Sequence, residues 1–289
     1  MARNKLVASV KSQEKFKSKK TEEIVVPELF EVDDSNFSKK YEGFSINFSC
    51  QDAIEYINSI EVPIHLVVTS PPYNCDIQYD TFIDNQKWDD YENWMTDVFS
   101  SAFKKLVDGG RVVVNFPQFV KGEAGRKSLS TIFERVLIKS GFELVDFITW
   151  VKAKDEREAV GAAGRSTAWG SWLSPSSPNM RPITELIIIA KKPGKYSSTN
   201  SDITISTEEF KAYTISAWFF NGASSKHHPA TFPPELASRS IKLYSYKYDN
   251  VMDPFLGIGS TALACSQNSR SFYGCDISKK YVRVSANRL

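Results

Sequence analysis

Val251-Met252-Asp253-Pro254-Phe255-Leu256-Gly257-Ile258-Gly259-Ser260-Thr261 reads as a strand, a glycine-bearing turn and the start of a helix. Gly257 and Gly259 let the backbone pass close to a ligand with no Cβ in the way. Ser260 and Thr261 sit where a helix amino terminus offers free amide hydrogens to an anion. The next strand, Phe272-Tyr273-Gly274, runs into Cys275-Asp276, and Asp276 lies 23 positions after Asp253. An acidic residue at that strand end holds ribose hydroxyls in nucleotide-binding βαβ units. Ala262 stands where a full G-x-G-x-x-G would have its third glycine. On this motif alone, nicotinamide and adenosylmethionine cofactors both stay open.

The rest of the chain repeats the alternation of strand and helix. Phe44–Phe48 and His65–Val68 read as strands, with a helix from Ala53 to Ser59 capped by Asp52 between them. Tyr91 to Leu106 carries an apolar helical stripe through Trp94, Met95, Val98, Phe99, Ala102 and Phe103. Asp108-Gly109-Gly110 is expected to end that helix as a C-cap and turn. Strands are expected at Arg111–Phe116, Phe142–Val151 and Glu185–Ala190, with helices at Leu129–Ser140 and Pro233–Tyr244. This is the pattern of a doubly wound α/β sheet. Two long interruptions, 152–181 and 193–228, are rich in Gly, Ser, Pro and aromatic residues. Inserts of that length in a compact domain tend to be functional.

Thr69-Ser70-Pro71-Pro72-Tyr73-Asn74 follows the His65–Val68 strand. Neither proline can donate to a ladder and each fixes φ, so the strand must end in a stiff turn. Open α/β sheets bind ligands at such carboxyl ends. Pro71 and Pro72 offer carbonyls, Ser70 a hydroxyl and Tyr73 a flat aromatic face. Together they suit a planar group that donates hydrogen bonds from an amine. The polar, aromatic stretch Cys75–Asp90 suits a mobile loop beside this turn.

Composition excludes little else. The 289 residues are 42% hydrophobic and 24% charged with a net charge of +2, which by itself does not argue for nucleic acid. Lysines and arginines crowd the amino end, and residues 1–40 read as a basic, flexible arm ahead of a domain spanning 41–289. Cys50, Cys75, Cys265 and Cys275 lack C-x-x-C spacing, and with only His65, His227 and His228 available no metal site is expected. Reduced thiols, no run near the ~20 apolar residues of a membrane span and no signal-peptide core point to a cytoplasmic protein that binds no membrane.

Taken as a pair, Thr69–Asn74 followed by Asp253–Thr261 resembles the S-adenosylmethionine-dependent amino-methyltransferases of DNA, which act on cytosine N4 or adenine N6. Catalytic motif first and cofactor motif last is similar to the β class of that family, and the likeness runs from about Phe44 to the end. It implies a Rossmann-like, mostly parallel seven-stranded sheet, with Ser70, Pro71, Pro72 and Tyr73 as catalytic residues. On the cofactor side it implies Asp52 near the adenine and Thr69 and Asp253 at the two strand ends. Phe255 is then expected on the adenine, Asp276 on the ribose, and Gly257, Gly259, Ser260 and Thr261 at the amino-acid end. His228-Pro229-Ala230-Thr231-Phe232-Pro233 resembles the motif preceding a helix beside the cofactor, which brings in Thr231. Gly170–Pro175 and Arg181 are similar to loops of cytosine-N4 members. Asn74, Trp169, Ser171, Trp172, Arg181 and Lys226 are the expected DNA contacts, and both inserts the target-recognition segments. Ser70, where Asp leans to adenine, favours cytosine. The implied partners are duplex DNA and a cognate restriction endonuclease, with homodimerisation open. Adenine N6, RNA amine methylation, an NAD-type oxidoreductase and a silent DNA-binding protein are the competing readings.

Overall fold

The structure, a computed structural model, describes residues 22–23, 35–122, 125–155, 157–158 and 169–289. Most of the expected basic arm, and residues 156 and 159–168 of the first insert, lie outside the described residues.

Each strand and helix of the domain takes its place for a reason visible in its residues. In chain order the elements are β1 (Asn36–Tyr41), β2 (Phe44–Cys50), α1 (Ala53–Ser59), β3 (Ile64–Thr69), α2 (Trp88–Lys105) and β4 (Leu106–Phe116). Then follow α3 (Leu129–Lys139), β5 (Glu143–Val151), β6 (Thr184–Lys191), α4 (Thr207–Tyr213) and β7 (Ala217–Phe219). The chain closes with α5 (Pro234–Tyr244), β8 (Asn250–Asp253), α6 (Ser260–Asn268), β9 (Ser271–Asp276) and α7 (Lys279–Ala286). One nine-stranded sheet runs β7-β5-β6-β4-β3-β8-β9-β2-β1. Only β6 and the edge strand β1 run against their neighbours.

Side chains alternate across the central strands as the two-residue period requires. Val67, Val112 and Val114 face a core made with α1, α2 and α3, whereas Leu66, Val68 and Val113 face one made with α5, α6 and α7. All six residues of β3 are buried, as expected of a strand covered on both faces. From β3 the chain continues through α2 to β4, and from its neighbour β8 through α6 to β9 on the other side. That reversal opens a crevice at the carboxyl ends of β3 and β8, where the proline turn and the glycine turn begin.

The sheet has two strands more than the expected seven, and both come from segments read as irregular. β1 lies inside the stretch assigned to the arm, where Phe37 stacks on Phe48 at 4.6 Å and Tyr41 on Phe44 at 4.7 Å. β7 comes from the second insert and pairs in parallel with β5. Asp108-Gly109-Gly110 is not the cap of α2, which ends at Lys105. It is a bulge within β4, where the pairing shifts from Ile64↔Leu106 to Leu66↔Arg111. Gly109 sits there at φ +71°, and a Cβ would meet the Tyr196 backbone nitrogen at 2.3 Å.

Much of the second insert is structural. Asp249, fully buried, accepts from the Tyr196 hydroxyl at 2.6 Å, Ser198 Oγ at 2.5 Å and the Tyr246 amide at 2.7 Å. Trp218 and Phe220 are core residues, 1% and 8% exposed, and Trp150 stacks on Phe220 at 5.1 Å. These aromatics hold the insert down, while Phe210 and Phe219 of the same insert stay exposed.

Candidate active site

A cavity of about 290 Å³ fills the crevice, near the lower end of the ~300–1,000 Å³ usual for small-molecule sites. Its walls include Ser70, Pro71, Pro72 and Tyr73 from the proline turn, Phe255, Gly257 and Ser260 from the glycine turn, and Asp52, Thr231 and Asp276. The two stretches singled out in the sequence therefore meet at one site.

Four residues expected at the cofactor, Thr69, Asp253, Gly259 and Thr261, are not among the cavity walls. Thr69, Asp253 and Thr261 are buried beneath the cavity, at 1%, 1% and 0% exposure. Asp253 Oδ1 accepts from Thr69 Oγ1 at 2.7 Å and the Phe255 amide at 3.1 Å, and its Oδ2 accepts from Thr261 Oγ1 at 2.7 Å. One carboxylate thus joins the end of β3 to the end of β8 and the first turn of α6. Burial pushes its pKa up to about 6, with the hydroxyl and amide donors holding it down. Gly259 is likewise a backbone residue, at φ +75° as the N-cap of α6, where a Cβ would meet Ser285 at 2.9 Å. Ser260 lines the cavity, but its hydroxyl donates to the Phe232 carbonyl at 2.8 Å. That bond pins the His228–Pro233 segment against the glycine turn.

Asp276 lines the cavity. Its carboxylate accepts from the Gly257 amide at 2.9 Å and the Ser278 amide at 2.9 Å, so the glycine turn wraps around it. Burial pushes the pKa up to about 7, against those two amides. Each oxygen keeps lone-pair capacity for a further donor. Asp52 is both the N-cap of α1, accepting from the Ile54 and Glu55 amides, and a cavity residue.

The proline turn is shaped by its neighbours. Pro72's carbonyl accepts from the Tyr91 hydroxyl at 2.7 Å, leaving Pro71 as the proline carbonyl not committed to that bond. The Ser70 and Tyr73 hydroxyls are hydrogen-bonded to each other. Burial, then the charge of Glu185, raises the Tyr73 pKa well above the ordinary phenol value, so the hydroxyl stays protonated. Asn74 does not face outward. It is 6% exposed, its Nδ2 donates to the Gln86 carbonyl at 2.8 Å and its Oδ1 accepts from the Gln86 amide at 2.7 Å. That clamp occupies the amide and removes Asn74 as a DNA contact in this conformation.

The stretch Cys75–Asp90, expected as an active-site loop, supplies a wall of the cavity, though the residues that build it were not singled out in the sequence. Asp84, 1% exposed, accepts from the Tyr73 amide at 3.2 Å and the Ile77 amide at 2.5 Å, folding residues 73–84 around one carboxylate. At the tip of this loop, Asp80 accepts from the Ser278 hydroxyl at 2.7 Å, fastening it to the start of α7. Tyr79, Thr81 and Phe82 thereby become cavity walls, joined by Trp94 and Tyr281. Trp94 packs edge-on to Phe255 at 5.8 Å, so part of the helical stripe on α2 faces the ligand space. His228 sits between Tyr79 and Tyr281, at 5.5 Å and 4.6 Å, and burial lowers its pKa to about 4, keeping it neutral. A buried Asp in a polar loop was the one readable signal, but its partners depend on loop closure.

The other expected DNA contacts lie outside the cavity walls. Trp169 and Arg181 are half-buried and stacked, with the guanidinium 3.4 Å from the ring centroid. Ser171 is half-buried, and Trp172 and Lys226 are exposed. Among the described residues no group of three or more His, Cys, Asp or Glu could hold a metal ion, and no helix is long and apolar enough to cross a membrane.

Comparison with known proteins agrees with this geometry. The N6/N4 methyltransferase family model, described as DNA methylase, matches residues 64–287. Type II methyltransferase M.MjaVI of Methanocaldococcus jannaschii is 33% identical over 165 residues, 56% of this chain and 79% of that protein. Type II methyltransferase M.HpaI of Haemophilus parainfluenzae is 24% identical over 253 residues, 83% of this chain and 73% of that protein. Among solved structures, TTHA0409 of Thermus thermophilus complexed with S-adenosyl-L-methionine superimposes with a TM-score of 0.65 at 25% identity, covering 83% of this chain and 91% of that one. The cytosine-N4-specific PvuII DNA methyltransferase shares the fold, with a TM-score of 0.62 at 22% identity over 84% of this chain and 86% of that one. With the family match spanning both the proline turn and the glycine turn, the chain belongs to the N6/N4 methyltransferase family of DNA methylases.

Proposed function

We propose that this protein methylates the exocyclic N4 amine of cytosine at a specific site in duplex DNA, using S-adenosylmethionine, as the modification enzyme of a type II restriction–modification system. The observation that carries the reading is the convergence of Ser70–Tyr73 and Phe255–Ser260 on one cavity. The cavity residues suit the cofactor: Asp276 accepts hydroxyl donors, Phe255, Trp94 and Phe82 offer aromatic surface for a purine, and Asp52 and Thr231 add polar groups. Bound there, S-adenosylmethionine supplies an electrophilic methyl group on a sulfonium sulfur.

An aromatic amine is a weak nucleophile because its lone pair is delocalised into the ring. Ser70 Oγ and the Pro71 carbonyl would accept its two hydrogens and favour a pyramidal nitrogen whose lone pair faces the methyl group, a contribution of positioning and electrostatics. Tyr73, kept protonated by burial, can donate to Ser70 Oγ and hold that acceptor in place. The target base must leave the stack to reach the turn, and Tyr73's ring offers it a stacking face. Trp172 and Lys226, exposed outside the cavity walls, are the residues of the two inserts that would meet DNA. Cytosine rather than adenine rests on Ser70, a neutral hydroxyl at the first position of the turn.

The test is methylation of DNA in vitro, followed by digestion to nucleosides and mass spectrometry. N4-methyl-2′-deoxycytidine is expected. N6-methyl-2′-deoxyadenosine would move the base to adenine, and transfer to RNA but not duplex DNA would refute the substrate class.

A further inference from the structure

We propose that Leu173 is a wedge that enters the base stack of duplex DNA and fills the gap left by the target base. The inference rests on the proposed base-flipping reaction and adds to it the element of the protein that opens the duplex.

The loop carrying Leu173 is built rather than slack. Gly170 and Pro178 form a β-bridge, the Ser171 amide donates to the Ser177 carbonyl at 2.8 Å, and the Asn179 amide to the Trp169 carbonyl at 3.0 Å. Ser171 Oγ donates to the Ser174 carbonyl at 2.8 Å and accepts from the Ser177 amide at 2.8 Å. Gly170 is held at φ +69°, where a Cβ would meet the Ser177 carbonyl at 2.2 Å. At the base of the loop Trp169 meets Trp172 edge-to-face at 5.0 Å, with Arg181 stacked on Trp169.

Against this frame the tip is anomalous. Leu173 is 89% exposed and sits at φ +53°, a backbone region unfavourable for a branched side chain. Trp172 and Met180 are 63% and 72% exposed in the same loop. A lone surface leucine needs no explanation. An aliphatic side chain held out by a hydrogen-bonded loop in a strained conformation is a shaped projection.

Its location selects the occupant. The loop joins the carboxyl end of β5 to the start of β6, with the Lys152 amide bonded to the Ile183 carbonyl at 2.8 Å. β6 lies two strands from β3 in the sheet, roughly 10 Å at ordinary strand spacing. The charge of Glu185, next to that start, acts on the Tyr73 hydroxyl. The two ends of the loop therefore stand on the same edge of the sheet as the catalytic turn. Aliphatic wedges enter unstacked steps of DNA in this way, and the hydroxyls of Ser174 and Ser176 beside the tip suit the flanking phosphates.

The experiment compares Leu173→Ala and Leu173→Met on a duplex carrying the methylated site, mapped first with the unaltered protein, and on the same duplex with the target base opposite an abasic position. Leu173→Ala should lower kcat/KM at least tenfold on the paired duplex and less than twofold on the abasic one, with cofactor affinity unchanged and Leu173→Met largely restored. Equal loss on both duplexes, or no loss on either, overturns the wedge. A changed oligomeric state of Leu173→Ala, seen by sedimentation, would assign the tip to contact between protein chains instead and overturn it as well. An unaltered protein that methylates no DNA refutes the underlying reaction, a result distinct from an active protein indifferent to Leu173.

Discussion

Replacing Asp253 by Asn tests whether the bridge beneath the cavity is structural and strained. The folded-state pKa of about 6 lies above the ordinary 3.8. Protonated, the carboxyl keeps its full contribution to stability below about pH 4, and that contribution is lost as pH rises to 6. At 1.36 kcal/mol per unit, the loss is about 3 kcal/mol once the group is ionised. Asn has no such titration. Its Oδ1 can accept from Thr69 and Phe255, and its Nδ2 can donate to Thr261, whose hydroxyl has the Val68 carbonyl at 3.4 Å as an alternative acceptor. Relative to the unaltered protein, Asp253→Asn should therefore gain about 1 kcal/mol between pH 5 and pH 8. Asp253→Ala should instead lose about 3 kcal/mol at pH 5 and about 2 kcal/mol at pH 8, because the buried donors of Thr69 and Phe255 are left without an acceptor and the same titration is removed. Urea unfolding at the two pH values measures this. A stability difference between Asp253→Asn and the unaltered protein that does not change with pH would refute the strained carboxylate.

Three further outcomes follow from the site. Cofactor affinity, measured by calorimetry, should weaken about tenfold from pH 8 to pH 6 as Asp276, with a pKa of about 7, takes up a proton and ceases to be a full acceptor; Asp276→Asn should bind more weakly at pH 8 and flatten the profile. Gly257→Ala places a Cβ 3.2 Å from His228 Nε2 at φ +50°, so it should cost about 1 kcal/mol of stability and lower cofactor affinity, and an unchanged dissociation constant would show that the imidazole yields freely. Asp84→Ala should speed hydrogen exchange across residues 73–84 while the β3 and β8 peptides stay protected, whereas equal protection throughout would show that the loop has other anchors.

The two-faced sheet was legible in the sequence because β-branched runs and amphipathic helices carry their own periods. Gly257 and Asp276 were legible because a glycine turn and an acidic strand end answer a local steric and chemical demand. Thr69, Asp253 and Thr261 were assigned to the ligand and lie beneath it. Motif membership fixes a residue's place in the chain, but whether a side chain faces the cavity or supports it depends on packing between β3 and β8. The loop of residues 73–86 gave no periodic signal, since its order comes from Asp84, Asn74 and Gln86 meeting only after closure. Trp94 followed a helical stripe faithfully, yet one edge of that stripe borders a ligand space. β1 and β7 were hidden because short edge strands gain most of their pattern from the neighbour they join.

The fastening of the loop tip to Ser278 has a kinetic consequence. With Tyr79, Thr81 and Phe82 on one side of the cavity and Asp80 bonded to α7, a cofactor held there would leave more slowly for as long as the loop tip stays fastened. Turnover would then be paced by residence time rather than by chemistry. A first round of methylation would outrun those that follow, and DNA bearing several sites would be modified in bursts separated by the reopening of a latch that Asp80 makes with Ser278, Tyr281 and Lys280.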